Sequence, residues 1–232
     1  IDGRGAHIKV LFQGFQIGNI SKGQNRPTSN VIISHLNFEG AHHLEDHHLD
    51  PDMLRITAES HDIWIHKNTF AYSGDAAFDI KMGGHNITIS FNRVVDVLRA
   101  SLHGASDKRP INKQIPSTNH NNLFLTSDDF HLTGLQGDKA GKDTARRVPL
   151  LRFGSSHLFN NVFYNYNKNL AAVRMGATLS LENNLFVAGD VIQKRKKTKE
   201  KKKSKNNNNN TPTYIENVKI IECKKKTEEK KK

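Results

Sequence analysis

The chain has 232 residues, enough for one sizeable hydrophobic core but short for two. Only 35% of its residues are hydrophobic, which favours short strands and many loops over a thick globular core. The net charge of +12 would suggest a nucleic-acid partner, but +11 of it falls in residues 194–232. The body of the protein is therefore nearly neutral, and we expect no nucleic-acid partner. No apolar run approaches the roughly 20 residues of a membrane-spanning helix, so we expect no membrane partner.

Six similar segments of eight residues recur along the chain. In most of them the first and third positions are apolar, the sixth is Asn or Asp, and the eighth is Phe. Their starts lie 32, 24, 36, 33 and 23 residues apart, which predicts a coil with a short basic repeat and variable insertions. Because side chains alternate along a strand, the first and third positions would face the interior. The segments are Val31–Phe38, Ile63–Phe70, Ile87–Val94, Leu123–Phe130, Ser156–Phe163 and Leu179–Phe186.

The recurring Asn has a physical role in such a coil. Asn tolerates the left-handed backbone conformation of a turn, and its amide can bond to the Asn of the next coil. The Phe two residues later would point inward and stack on its counterparts. These features favour a solenoid of stacked strands, although the repeats alone leave an all-β sandwich open.

The character of the chain changes at Lys194. Residues 194–232 are rich in Lys and Asn and low in complexity, which predicts a mostly disordered tail. Residues 214–221 could form one further strand within this tail. We therefore predict a solenoid domain over residues 1–193 and a tail over residues 194–232. The first residues read as the middle of a domain, so we expect the N-terminal cap to be missing.

Four aspartates flank the segment Ile63–Phe70: Asp50 and Asp52 precede it, and Asp75 and Asp79 follow it. One coil would separate the two pairs, so the four carboxylates could converge on one lateral face, about 4.8 Å apart along the stack. Like charges this close need a cation, and a site made only of oxygen ligands suits Ca²⁺. Taken singly, each aspartate could equally be a solvated turn residue.

Three arginines follow along the chain. Arg99 lies in VLRASLHGASD, and Arg147 and Arg152 lie five residues apart in ARRVPLLRFG. By themselves they would be interpreted as surface arginines beside a turn proline.

The ordered set of these segments resembles the pectate lyases of polysaccharide lyase family 1. The resemblance runs from Ile1 to Val187, and RVPLLRFG followed by SSHLFNN is its most specific part. It implies a right-handed, single-stranded parallel β-helix and calcium-dependent cleavage of polygalacturonate by β-elimination. It also implies a secreted enzyme, which we expect to be a monomer.

The resemblance further implies roles for individual residues. Arg147 matches the base that removes the C5 proton of a galacturonate, and Arg152 matches a binder of the substrate carboxylate. Arg99 stands where the family usually has a substrate-binding lysine. The residues that match the family's calcium-binding acids are Asp50, Asp52, Asp75 and Asp79.

Two departures from the family pattern bear on turnover. The segment WIHK, Trp64–Lys67, replaces the common WIDH, which we expect to put an imidazole in place of an acid near the cleft. Arg99 keeps the charge of a lysine but not its shape, since guanidinium is a planar fork. Two alternatives stay open. One is a lyase that acts on methylated pectin and would not need the four acids, and the other is a catalytically impaired, carbohydrate-binding β-helix.

Overall fold

The computed structural model describes residues 1–12, 14–40, 52–133, 146–166, 170–190, 193 and 221–222. Over these residues the chain winds through three sheets in a fixed order, contributing one strand to each sheet per coil. Neighbouring strands of a sheet come from successive coils and pair in parallel. The fold is therefore a right-handed parallel β-helix, as the resemblance implied.

Each coil passes through sheet 1, sheet 2 and sheet 3 in turn. The strands of sheet 1 are Lys9–Leu11, Asn37–Glu39, Thr69–Ser73, Arg93–Val97, Leu123–Leu125, Val162–Tyr164 and Leu185–Val187. Those of sheet 2 are Phe15–Ile17, Leu54–Ile56, Phe78–Ile80, Ser101–His103, Leu150–Arg152, Ala172–Arg174 and Ile221–Glu222. Those of sheet 3 are Ser29–Ser34, His61–His66, His85–Ser90, Pro116–His120, Ser155–Phe159 and Thr178–Glu182.

The connections between the sheets carry a few further elements. An antiparallel hairpin, a 3-10 helix and an α-helix are Asn19–Ser21 with Gln24–Arg26, Pro110–Gln114 and Asp128–Thr133. Within the described part of the chain, no helix combines the length and the apolar character needed to cross a membrane.

A two-residue turn joins sheet 3 to sheet 1, and from the second coil onward its second residue is a ladder Asn. Asn122 Oδ1 accepts the backbone N–H of Asn92 at 2.9 Å and the Asn92 side-chain amide at 3.1 Å. The Asn122 amide in turn donates to the carbonyl of Ile89 at 2.9 Å. The ladder therefore satisfies turn backbone groups that would otherwise be buried without partners. Its members are Asn68, Asn92, Asn122, Asn161 and Asn184.

One of the six predicted repeats was wrong. The segment Leu123–Phe130 combines a strand of sheet 1, Leu123–Leu125, with the start of the α-helix. The true repeat is Ser117–Phe124, which places Asn122 in the ladder. The pattern missed this repeat because its first and third residues are polar, whereas Leu123 and Leu125 of the sheet 1 strand are apolar, as the pattern required.

Phenylalanine rings at the second position of most sheet 1 strands stack inside the coil, as predicted. The rings of Phe124 and Phe163 lie 5.2 Å apart and 14° from parallel. Val94 interrupts the stack for one coil. Phe78 of sheet 2 makes edge contacts on both sides of that coil, with ring centroids 5.8 Å from Phe70 and 6.4 Å from Phe124. The core thus stays filled where the sequence repeat loses its aromatic ring.

We expect Asn122→Ala to lower the free energy of unfolding by about 3 kcal/mol. The substitution removes the acceptor used twice by Asn92 and the donor to Ile89, and each lost bond costs about 1 kcal/mol or more when a buried group stays unpaired. Urea denaturation measures the change. Asn121→Gly is the matched control, because Asn121 is exposed and has φ +55°, which glycine adopts without strain. Equal losses for the two variants would contradict the role of the ladder.

The predicted tail falls mostly outside the described residues. Residues 194–220 and 223–232 are not among them, and this includes nearly all of the strand predicted at 214–221. The described pair Ile221–Glu222 aligns in parallel with Ala172–Arg174 and adds a strand to sheet 2. The boundary between residues 193 and 194 stays a prediction.

Candidate active site

The predicted site residues come together at sheet 2 and at the turns that lead into it from sheet 1. Asp79 is in register with Arg55 of the preceding coil and with Leu102 of the next. Asp52 lies three residues before Arg55, and Asp75 lies four residues before Asp79. The three described aspartates therefore occupy neighbouring coils on one side of the molecule, while Asp50 lies outside the described residues.

The carboxylate of Asp52 is buried, and its two oxygens have very different surroundings. Oδ2 accepts from Arg55 Nε at 2.9 Å, from Arg55 Nη2 at 2.8 Å and from Lys81 Nζ at 2.8 Å. Oδ1 is buried and has no hydrogen-bond partner among the residues that the structure describes. Because an unpartnered buried carboxylate oxygen is costly, Oδ1 is an atom at which a bound cation would be favourable.

Lys81 bridges two of the aspartates, since its Nζ lies 2.8 Å from Asp52 Oδ2 and 3.0 Å from Asp79 Oδ2. Burial works against a charged amine, but the carboxylates of Asp79 and Asp52 raise the pKa of Lys81 above its usual value. Burial raises the pKa of the Asp79 carboxyl, the charge of Asp52 adds to the increase, and Lys81 opposes it. The acids are crowded enough that further positive charge would stabilise their ionised forms.

Asp52, Asp75 and Asp79 together form what we call the carboxylate cluster, and Asp75 forms a second ion pair in it. Arg99 Nη1 lies 3.5 Å from Asp75 Oδ2, and both side chains are buried. The backbone N–H of Asp75 donates to Ser73 Oγ at 3.1 Å. The pair thus contributes to compensating two buried charges.

Arg147 lies at the end of the long connection that returns from sheet 1 to sheet 2. Its carbonyl accepts the backbone N–H of Ser101 at 2.7 Å, and its φ of +61° is unusual for a residue other than glycine. Burial lowers the pKa of the Arg147 guanidinium against the opposing effect of nearby carboxylates, and the positive charges of Arg146 and Arg152 lower it further. A lowered pKa increases the neutral fraction that a guanidine base would need.

Arg152 is held in place at the end of its sheet 2 strand. Its Nε donates to Asp107 Oδ1 at 2.6 Å, and its Nη1 donates to the carbonyl of Gly104 at 3.2 Å. Arg174 occupies the same register position one coil further along. The guanidinium is thus oriented by two acceptors before any substrate arrives.

The described residues do not form a ready metal site: among them, no three Asp, Glu, His or Cys side chains converge closely enough to hold an ion. The Lys81 amine contacts both Asp52 and Asp79, and Asp75 pairs with Arg99. The calcium ligand set therefore stays a prediction. The unpartnered Oδ1 of Asp52 and the crowding of the acids fit a hard cation.

The expectation that His66 lies near the cleft was wrong. Trp64–Lys67 runs through sheet 3 and the turn after it, whereas the acids and arginines lie at sheet 2. Trp64 Nε1 donates to Ser90 Oγ at 2.8 Å, and His66 Nδ1 lies 3.0 Å from the same oxygen. The change from WIDH to WIHK therefore does not remove an acid from the cleft.

Sequence reasoning missed three residues that contact the predicted ones. Lys81 follows Asp79 by two positions, and Arg55 follows Asp52 by three. The two-residue spacing between Asp79 and Lys81 could have identified Lys81, because side chains two residues apart along a strand share a face. Asp107, which holds Arg152, lies 45 residues before it, and only the stacking of the coils brings the two together.

Comparisons with known proteins identify the family of the chain. The pectate lyase family model matches residues 8–230. A pectate trisaccharide-lyase from Thermotoga sp. (strain RQ2) is 34% identical over 170 residues, covering 69% of this chain and 38% of that protein. A pectate lyase from Nicotiana tabacum is 30% identical over 203 residues, covering 82% of this chain and 45% of that protein. The chain thus spans less than half the length of these relatives.

Solved structures support the fold. The major allergen from cedar pollen aligns with a TM-score of 0.54 at 23% identity, covering 78% of this chain and 49% of that one. A pectate lyase variant from Xanthomonas campestris aligns with a TM-score of 0.52 at 22% identity, covering 79% of this chain and 58% of that one. With a family match that spans nearly the whole sequence, the chain belongs to the pectate lyase family.

Proposed function

We propose that this protein cleaves polygalacturonate by β-elimination in a calcium-dependent reaction outside the cell. The observation that carries the proposal is the position of Arg147, a partly buried arginine with a lowered pKa, on the same side of the coil as a buried carboxylate cluster. A polyanionic substrate needs cationic groups for binding, and Arg99 and Arg152 would supply them. The pectate lyases among the relatives support this substrate class.

In the proposed reaction, Arg147 is the base. Neutral Arg147 takes the proton from C5 of a galacturonate. The electron pair left at C5 forms the C4–C5 double bond while the C4–O glycosidic bond breaks, and the departing oxygen takes a proton from water. The product carries a 4,5-unsaturated end. Negative charge develops next to the sugar carboxylate during proton removal, and Arg152 and Arg99 would stabilise it.

The residues that would hold calcium are Asp52, Asp75 and Asp79, together with Asp50 outside the described residues. Asp52 would offer Oδ1, the oxygen that accepts no hydrogen bond from the described part of the chain. Carboxylate oxygens are the donors that Ca²⁺ prefers. When bound, the ion would place positive charge beside the sugar carboxylate and make the adjacent C5 proton more acidic.

Polygalacturonate incubated with the protein in calcium, and again in EDTA, tests the proposal. The ultraviolet absorbance of unsaturated product should rise with calcium and stay at background with EDTA. Activity on methylated pectin that resists EDTA would instead identify a pectin lyase. Binding of polygalacturonate without any product would identify a carbohydrate-binding β-helix, and either result would overturn the proposal.

We expect Asp107→Ala to raise KM about fivefold with a smaller change in kcat. Asp107 orients the guanidinium of Arg152, and losing a partly exposed ion pair of this kind costs about 1 kcal/mol of binding. Asp62→Ala is the control, because Asp62 is an exposed aspartate of sheet 3. Steady-state kinetics on polygalacturonate measure both variants. A lower kcat at unchanged KM would contradict a binding role for Arg152.

A further inference from the structure

We propose that Arg55 lowers the calcium affinity of the carboxylate cluster by forming an ion pair with Asp52 in the metal-free protein. The inference rests on the proposed function and deepens it, because it concerns how readily the same site takes up its ion. Both contacting nitrogens of Arg55 reach the same carboxylate oxygen, Asp52 Oδ2, at 2.9 and 2.8 Å. The Asp52 side chain is 1% exposed and that of Arg55 is 25% exposed, so the pair lies at the mouth of the cluster.

The described acids of the cluster already form ion pairs with cations of the chain itself. Three buried carboxylates, those of Asp52, Asp75 and Asp79, face cations that lie within ion-pair distance of them. The cations are Arg55, Lys81 and Arg99. A divalent ion that enters this cluster meets repulsion from each cation as well as attraction from each acid. Its affinity therefore depends on how easily the cations give way.

Arg55 is the cation whose substitution tests this effect on calcium affinity most directly. Lys81 contacts two aspartates at once, and Arg99 is buried against Asp75 and assigned to the substrate. Arg55 contacts Asp52 and has a side chain that is 25% exposed, against 13% for Lys81 and 6% for Arg99. Replacing its guanidinium would remove two of the three donors to Asp52 Oδ2, leaving that of Lys81, and would remove one positive charge close to a metal bound there.

Opposite effects on the two forms of the protein distinguish this role from a purely structural one. Without calcium, Arg55 compensates a buried acid, so its removal should destabilise the metal-free fold. With calcium, the ion takes over that compensation, so the same removal should favour the bound state. A residue that only packed against its neighbours would weaken both forms alike.

Titration calorimetry of the metal-free protein with calcium chloride tests the inference. We expect Arg55→Gln to bind calcium about tenfold more tightly than the wild type, as the loss of one charge at short range predicts. Its unfolding temperature should be lower than that of the wild type without calcium and should rise by more on saturation. Arg55→Lys keeps the charge and should stay within about threefold of the wild-type affinity. Arg93→Gln, at an exposed arginine of sheet 1, is the remote control.

Unchanged or weaker calcium binding by Arg55→Gln would overturn the inference. Should that variant fail to fold by circular dichroism, Arg55→Met, which keeps the apolar stem, replaces it with the same expectation. Calcium-dependent product from the wild type with no gain in affinity for either variant would overturn this inference alone. Tighter binding by the variant with no product from the wild type would overturn the proposed function and uphold the inference.

Discussion

Arg147→Ala is expected to abolish unsaturated product, with kcat lowered by about 10³-fold, while polygalacturonate still binds. A positioned general base contributes typically 10²- to 10⁴-fold, and the remaining cations, Arg99 and Arg152, would still hold the polymer. Ultraviolet absorbance measures the product, and affinity electrophoresis in gels containing polygalacturonate measures binding. Arg93→Ala is the matched control, an exposed arginine on sheet 1 that should retain full activity. Activity in Arg147→Ala close to that of the wild type would remove Arg147 from the mechanism.

The same assignment predicts an alkaline rise in rate. Only the neutral guanidine can accept a proton, and its fraction grows tenfold per pH unit below the pKa. Burial lowers the pKa of Arg147, so the neutral fraction is reached at a lower pH than for an exposed arginine. We expect log kcat/KM to increase with pH between about pH 7 and about pH 10. A flat profile over this range would contradict a base of this kind.

The fold was predictable because the same types of side chain recur at equivalent positions of most coils. The side chain at the ladder position hydrogen-bonds to the neighbouring coil, and the amide of Asn is suited to this. The predicted repeats therefore have Asn at this position in four coils, as Asn68, Asn92, Asn161 and Asn184. The one repeat that was predicted wrongly lacks the apolar interior residues that mark the others. Its interior residues Ser117 and Asn119 are buried polar groups, and nothing in their local sequence indicates burial.

The site was predictable only as far as strand geometry determines it. The spacing of Asp75 and Asp79, one coil after Asp52, was enough to place the acids on one side of the molecule. The partner of each acid was not predictable, because Lys81 and Arg55 have long side chains whose direction depends on packing across coils. His66 was misplaced because proximity along the chain to the acids says nothing about which of the three sheets a strand joins.

A buried histidine network offers a prediction that concerns stability rather than catalysis. His103 is fully buried on sheet 2, its Nε2 lies 2.9 Å from Ser101 Oγ, and its Nδ1 lies 3.2 Å from Ser117 Oγ. Ser117 Oγ continues the network to Ser156 Oγ at 2.9 Å. The two hydroxyls serve a neutral ring, and the described network includes no acid that could stabilise an imidazolium. Burial lowers the pKa of His103 to about 3, against 6.5 in the unfolded chain.

The sign of the resulting pH dependence follows from linkage. His103 is neutral in the fold and takes up a proton on unfolding at any pH between these two values, so its contribution is complete above about pH 6.5 and falls as the pH decreases. At about 1.4 kcal/mol per unit, the fold should lose roughly 2 kcal/mol by pH 5 and up to about 5 kcal/mol near pH 3. The raised pKa of Asp79 acts in the opposite direction, since that carboxyl favours the fold at lower pH.

Comparing the wild type with a variant that lacks the imidazole therefore separates the effect of His103 on stability from the effects of the other titrating groups. Urea denaturation of the wild type and of His103→Gln, between pH 8 and pH 5, gives the free energy of unfolding of each protein. Gln cannot be protonated, so the variant should be less stable at pH 8, and the gap should narrow by roughly 2 kcal/mol on going to pH 5. A gap between wild type and His103→Gln that stays constant over this range would mean that the buried imidazole does not become protonated on unfolding, and the network would then carry no acid sensitivity.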